Sequence, residues 1–459
     1  MRQFILPLYL LLGACMPVTS QDTATRSDMG TVTESALPPI KVFSAPRPVP
    51  PHVSNRDLSR DFLDLAFQLE SGRALPVLTR FDGPISVRVT GAPPPNLVPD
   101  LNRLLYRLRS EAGMDINQTA AAAANVTIEA VPRSAIRKTL PQAACFVAPN
   151  VSSLGEYRSA RRSARVNWSR MTARTRVAIF LPNDASPQEV RDCLHEELAQ
   201  ALGPLNDLYR LPDSVFNDDN VHTVLTGFDM LVLRIYYDPA LRNGMRRSEA
   251  ARRLPAVLAR LNPAGEGLPP RRLGSTPRAW INAVQEALGP GASPSQRQAA
   301  AREAVKIAGV MGWSDHRRGF AHYAMGRILQ ASDPKAAHAQ FTLADRYFGA
   351  TPGTGLHRAY TASQLAAYAI SQNRPDEALA LLGGAIDIAA RHENAALLAT
   401  LMLLRAEALD LAGRVSEGRE VRMDSLGWAR YGFGPDWAVR AKLREIGSLN
   451  PLKGNVGRI

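Results

Sequence analysis

Residues 176–207 read RVAIFLPNDASPQEVRDCLHEELAQALGPLND, which is a strand pattern followed directly by a helix pattern. The VAIFL run is apolar and typical of a buried strand, and a Pro-Asn-Asp turn ends it. Ser186 and Pro187 favour the cap and first turn of a helix, and Gly203 favours its end. Strand and helix patterns also alternate on both sides of this stretch. We therefore predict an α+β domain over residues 55–264.

The predicted helix carries the polar residues that make the best candidate site. His195-Glu196 would begin a zinc-protease pattern, but position 199 is alanine where a second histidine is needed. Residues at i and i+4 share one helix face, and a glycine lets the chain turn so that a third side chain returns to that face. Shifted by one residue, the frame reads Glu196-Glu197-x-x-Gln200-x-x-Gly203-x-x-Asn206, followed by Asp207.

This frame resembles the His-Glu-x-x-His-x-x-Gly-x-x-His motif of the metzincin zinc proteases. The resemblance places Glu196, Gln200 and Asn206 at the three metal-ligand positions, and Glu197 at the position of the general base. It implies a zincin-like fold for the α+β domain. The departures from the motif imply that zinc chemistry is lost, because one carboxylate and two amides bind zinc poorly. We therefore expect hydrogen bonds or nearby arginines to hold Glu196 and Glu197, with Asp207 helping to fix the turn.

Two downstream segments continue the likeness to matrixin-like metzincins. Ser214-Val215-Phe216 resembles their Ser-x-Met turn, with phenylalanine in place of methionine. Asp229 and Tyr237 match polar positions of their closing helix. Residues from about 176 to 245 also resemble a proteobacterial family of putative lipoproteins of unknown function. An ordinary helix with polar residues and a glycine stop is the alternative interpretation.

The N-terminus has the pattern of a bacterial lipoprotein signal. A short basic start, an apolar run and Gly-Ala precede Cys15, which resembles the lipobox cysteine that becomes acylated. We predict a signal peptide over residues 1–14 and a disordered, proline-rich tether over residues 15–54. A lipid-anchored body that faces the periplasm, with outer-membrane sorting, is expected. An ordinary signal peptide is the alternative.

The other two cysteines, Cys145 and Cys193, form an even pair in an oxidising compartment, which predicts one disulfide. Two separate buried thiols are the alternative.

The net charge is +13, and most of the cationic side chains are arginine. A secreted lipoprotein rarely meets nucleic acid, so anionic lipids or cell-wall polymers are the expected counter-charges. A cluster of arginines that precedes and enters the VAIFL strand supplies candidates for an anion-binding face, and a solvated loop is the alternative. The candidates are Arg158, Arg161, Arg162 and Arg165, followed by Arg170, Arg174 and Arg176.

Residues 265–290 begin with a Gly/Pro/Arg-rich run and are predicted to be a linker. Residues 291–459 are alanine-rich and mainly helical in pattern, with similar turns near residues 333, 373 and 413. This spacing of about 40 residues resembles tetratricopeptide-type helix pairs, although the full signature is missing. An irregular helical bundle is the alternative.

Together these patterns favour a lipid-anchored adaptor or scaffold that binds other envelope proteins and uses no cofactor. An active metal-dependent peptidase or hydrolase that uses Glu197 with an unusual ligand set is the second hypothesis. Calcium or magnesium would suit such oxygen ligands better than zinc. Binding of anionic envelope material through the arginines is a third.

Overall fold

A computed structural model of the chain describes residues 37–44, 49–271 and 273–453. The strands in this part are β1 (Ile85–Gly91), β2 (Ile116–Gln118), β3 (Val126–Val131), β4 (Phe146–Pro149) and β5 (Val177–Pro182). They form one sheet in the order β2-β1-β3-β5-β4. The edge strand β4 runs antiparallel to β5, and all other pairs are parallel.

Strand β5 is buried on both faces. Val177, Ile179 and Leu181 belong to the larger core, whereas Ala178 and Phe180 belong to a smaller core on the other side of the sheet. A strand without a polar face needs cover on both sides, which explains its continuous apolar run.

Helices supply that cover. They are α1 (Asn55–Ala66), α2 (Leu97–Ala112), α3 (Arg133–Thr139), α4 (Leu154–Ala160), α5 (Pro187–Leu202), α6 (Gly227–Tyr236) and α7 (Arg247–Leu261). Buried residues of α1, α2, α5, α6 and α7 contribute to the larger core, and those of α3 and α4 to the smaller one. This part of the chain is therefore an α+β domain with a small mixed sheet.

The C-terminal region is all-helical. Its helices are α8 (Arg278–Leu288), α9 (Pro294–Val310), α10 (His316–Leu329), α11 (Pro334–Gly349), α12 (Gly355–Ser371), α13 (Pro375–Arg391), α14 (Ala395–Leu411), α15 (Val415–Phe433) and α16 (Asp436–Gly447). Each helix packs against the next along the chain. Small residues permit close contact, since a Cβ on Gly326 would lie 2.6 Å from the Phe341 ring.

The three similar turns noted in the sequence each precede a helix. Asp333 caps α11, and Asn373 and Gly413 adopt positive φ angles of 57° and 79° just before α13 and α15. A left-handed residue between consecutive helices reverses the chain in few residues, which glycine and asparagine tolerate best.

The predicted linker over residues 265–290 is wrong from Arg278 onward, because α8 lies there. Trp280 is fully buried, with its ring centroid 5.0 Å from that of Tyr209 and 5.5 Å from that of Trp313. The Gly/Pro/Arg-rich run before α8 concealed the helical spacing of Trp280, Val284 and Ala287. The described residues from Leu37 onward form one compact unit.

The predicted tether is also wrong in part, because residues 37–44 and 49–54 contact the body. The Phe43 ring stacks on Trp428 at 4.4 Å, and Asn262 Nδ2 donates to the Val53 carbonyl at 3.0 Å. Proline-rich sequence indicates extended backbone, but it does not exclude apolar side chains that dock. Residues 1–14 and Cys15 lie outside the described residues. None of the described helices has both the length and the hydropathy that a bilayer span requires.

Candidate functional site

Helix α5 carries the candidate site, and local sequence sets its limits. The Ser186 hydroxyl accepts from the Glu189 amide at 3.2 Å, with proline at the first helical turn. The predicted disulfide is confirmed: Cys145, next to β4, is bonded to Cys193 on α5. The first half of α5 is thereby fixed to the edge of the sheet.

The C-terminus of α5 is held by an arginine whose role the sequence did not indicate. Arg174 is 2% exposed and donates to the carbonyl oxygens of Gln200 at 2.6 Å, Ala201 at 2.7 Å and Gly203. These carbonyls lack partners within the helix, and a cation here also opposes the helix dipole. Arg174 is therefore structural and not part of an anion-binding face.

The later of the two downstream segments, which contains α6, packs against the C-terminus of α5. A Cβ on Gly203 would lie 2.9 Å from the Tyr236 ring, and the Tyr237 hydroxyl donates to the Leu202 carbonyl at 2.8 Å. Gly203 is thus required by the close approach of α6.

Asp229 on α6 is fully buried and accepts from the Ser214 hydroxyl at 2.5 Å and the Val215 amide at 3.1 Å. Phe216 beside them is also fully buried and belongs to the same core as α5. Burial raises the pKa of Asp229 to about 7, although these hydrogen bonds oppose the rise. The turn at Ser214–Phe216 and helix α6 are therefore joined through the Asp229 carboxylate.

A cluster of carboxylates forms the candidate site itself. Burial raises the pKa of Glu196 to about 8, with further contributions from the charges of Glu70 and Asp218. Burial also raises the pKa of Glu197 and Asp207 well above the usual range. Glu70, from the segment after α1, also has a raised pKa, chiefly through desolvation. We name Glu70, Glu196, Glu197, Asp207 and Asp218 the carboxylate cluster.

The expected arrangement around Glu197 is wrong in one respect. We expected hydrogen bonds or arginines to hold Glu196 and Glu197 in place of a metal. The Glu197 Oε2 atom is instead buried without a hydrogen-bond partner in the described part of the chain. Burial without a hydrogen bond favours the protonated form of a carboxyl group, in agreement with the raised pKa of Glu197.

One of the three expected ligand positions has a partner on the backbone. Asn206 Nδ2 donates to the Asp64 carbonyl of α1 at 3.0 Å, so this amide serves the backbone. Among the described residues, one group of three or more His, Cys, Asp or Glu side chains brings its ligand atoms within 4.8 Å, and it lies elsewhere. That group is Asp213, His222 and His392.

The other side of α5 contacts the helical region. Arg191 is 2% exposed, and its NH1 lies 3.2 Å from Glu393 Oε2 in the turn between α13 and α14. Gln188 Nε2 donates to Asn394 Oδ1 at 3.1 Å, and Gln188 Oε1 accepts from the Ala396 amide at 2.8 Å. These contacts are buried and polar, so they fix one orientation between the sheet domain and the helices.

The arginine candidates lie on the surface near α4. Arg158 donates to the Thr139 hydroxyl and the Ala135 carbonyl, and Arg165 pairs with Glu156. Arg161 and Arg162 are exposed at the end of α4. The structure thus places all four on the surface, with two of them already bonded within the protein.

Comparison with known families covers the sheet domain. Residues 55–256 match the sequence model of a family described as "Protein of unknown function (DUF2927)". That stretch is similar to an uncharacterised family. It includes the sheet and α1 to α6, but helices α8 to α16 lie outside it. No curated protein matches the chain.

Proposed function

We propose that the chain is a lipid-anchored envelope protein that acts as a non-catalytic adaptor. Its sheet domain would be a metzincin-like scaffold that has lost its zinc site. The observation that carries this proposal is the use of the motif positions: Asn206 Nδ2 donates to a backbone carbonyl, and Glu197 Oε2 is buried without a hydrogen-bond partner in the described part of the chain. A catalytic zinc needs three good ligands and an open position for water, and these groups supply neither.

The contacts between the motif segments support the scaffold part of the proposal. Asp229 joins the Ser214 turn to α6, and Tyr237 joins α6 to the end of α5. These bonds connect the three segments that resemble metzincins. The residue types at the three ligand positions differ from those of the motif. Function on a retained scaffold is argued from the site and not from the fold.

The surface of the helical region supports the adaptor part. Several large apolar side chains are exposed on these helices, among them Val310 at 81%, Trp437 at 72% and Val415 at 56%. Exposed tryptophan is a residue type that often dominates binding energy at protein interfaces. These side chains offer contact points for other envelope proteins, while acylation of Cys15 would supply the anchor.

The test compares Glu197→Gln with the wild-type full-length chain in cells and in solution. We expect the variant to restore any phenotype of a deletion strain as well as the wild type does. We also expect neither protein to cleave casein or a mixed peptide library. Chelator-sensitive cleavage that is lost in Glu197→Gln would overturn the adaptor proposal in favour of the peptidase hypothesis.

A further inference from the structure

A cluster of histidines lies where the sheet domain meets the helical region. Asp213 and His222 come from the segment between α5 and α6, and His392 directly follows α13. Each offers one ligand atom, and all three atoms lie within 4.8 Å of one another. The His222 and His392 rings are 5.3 Å apart between centroids.

We propose that Asp213, His222 and His392 bind a zinc ion that joins the two parts of the molecule. Two imidazole nitrogens and one carboxylate oxygen form a three-ligand set suited to zinc, with a position left for water. Imidazole ligands disfavour calcium and magnesium, which prefer oxygen. The proposal is independent of the adaptor function, because none of these residues belongs to the carboxylate cluster.

The backbone on the sheet-domain side is held in place before any metal binds. The Thr226 hydroxyl donates to the Asp213 carbonyl at 2.9 Å, and Thr226 also caps α6. Ser214, the next residue, is fixed by Asp229. His222 is 9% exposed, and its Nε2 lies 3.0 Å from the Pro212 carbonyl oxygen and 3.8 Å from Asp213 Oδ1.

The helical side is equally constrained. His392 ends α13, and Glu393 adopts a positive φ of 52° to turn the chain into α14. The Glu393 carboxylate pairs with buried Arg191 of α5, and fully buried Asn394 bonds to Gln188. The same turn that holds the two parts together therefore presents His392 to the site, which is the preorganisation that a metal site requires.

Two of the three side chains that would bind zinc have no hydrogen-bond partner among the described residues, whereas binding through His222 Nε2 would replace its contact with the Pro212 carbonyl. In the described part of the chain, neither the Asp213 carboxylate nor the His392 ring takes part in a hydrogen bond. The Asp213 side chain is 40% exposed and lines a cavity of about 430 Å³ together with Arg271, Pro352 and Gly353. A water ligand could reach the metal from this side. Nearby, His357 Nε2 lies 2.8 Å from Asp219 Oδ2, and its ring centroid lies 6.2 Å from that of His222.

The experiment measures zinc and cobalt binding to the purified full-length chain after chelator treatment. We expect one Zn²⁺ per chain by elemental analysis and calorimetry, and Co²⁺ to give visible absorption of a four-coordinate site. His392→Gln and Asp213→Asn should each weaken Zn²⁺ binding at least about tenfold. His338→Gln, a helical-region histidine outside the cluster, should leave binding unchanged.

Further variants distinguish zinc binding at the proposed site from zinc binding at the motif positions on α5. Glu196→Gln and Gln200→Leu change the motif positions, so they should leave the zinc stoichiometry at one. Circular dichroism would establish that each variant is folded, and the Co²⁺ spectrum reports ligand loss directly. Absence of Zn²⁺ binding at micromolar concentration would overturn the proposal. Binding that persists in both His392→Gln and Asp213→Asn would do the same.

Discussion

The carboxylate cluster and the histidine cluster (Asp213, His222 and His392) differ in the side chains that they offer as ligands for a cation. The first gathers five acids around the motif positions and has no imidazole among them. Burial raises the pKa of Glu196 to about 8 but lowers the pKa of His222 and His392 to about 4. Burial therefore favours the protonated form of Glu196 and the neutral form of the two imidazoles.

The largest expected effect tests the disulfide that fixes the helix of the carboxylate cluster. Cys145→Ala/Cys193→Ala should lower the free energy of unfolding by about 4 kcal/mol, because the bridge closes a loop of about 48 residues in the unfolded chain. Urea titration monitored by circular dichroism measures the change. Reduction of the wild type with dithiothreitol is the control and should give a similar loss. Equal midpoints for the variant and the oxidised wild type would contradict the prediction.

The pH dependence of stability would sharpen the contrast between the clusters. The folded state retains a proton on Glu196 that the unfolded state releases, so its stabilising contribution is full below about pH 4.5 and is lost as pH rises through about 8. One pKa unit corresponds to about 1.4 kcal/mol. Water that reaches the cluster screens part of the pKa shift of Glu196. We therefore expect Glu196→Gln to remove about 3 kcal/mol of the difference in unfolding free energy between pH 5 and pH 9.

Thermal unfolding across this pH range measures the effect, with Glu286→Gln on an exposed face of α8 as the matched control. The control should keep the wild-type pH profile. A profile that is unchanged in Glu196→Gln would show that the cluster does not hold its acids protonated.

A smaller effect is expected at the helix end that supports the carboxylate cluster. Arg174→Met retains the length of the side chain but leaves the carbonyls of Gln200, Ala201 and Gly203 without their donor. We expect a loss of about 2 kcal/mol in unfolding free energy, typical of hydrogen bonds from a charged group. Arg158→Met at an exposed position is the control and should change stability by less than about 0.5 kcal/mol. A loss no greater than that of the control would refute the capping role.

The smallest effect concerns Thr226, whose hydroxyl accepts from the Asp229 amide and donates to the Asp213 carbonyl. Thr226→Ala should lower the free energy of unfolding by about 1 kcal/mol, as expected for the loss of a helix cap. Ser293→Ala removes the cap of α9 and should cost a similar amount. Thr226→Ala should lower the affinity for Zn²⁺, whereas Ser293→Ala should leave it unchanged. Equal zinc affinities would mean that Thr226 does not position Asp213.

Several features could be predicted from local sequence because local physics decides them. The buried strand β5, the cap at Ser186, the end of α5 at Gly203 and the turns near residues 373 and 413 follow from apolar runs and turn-forming residues. The pairing of Cys145 with Cys193 followed from counting thiols in an oxidising compartment. Helix α8 was missed because a proline-rich run adjoins it.

The sequence by itself determined the α+β and helical regions, the motif frame on α5 and the change of residues at its ligand positions. Only the tertiary structure decided which side chains meet. Glu70 lies 126 residues before Glu196, and His392 lies 170 residues after His222, so no spacing rule connects them. Packing brings such distant segments together, and burial then sets their charge states. That is why Arg174 caps a helix, why the pKa values of the acids are raised, and why the cluster of potential zinc ligands lies outside the motif.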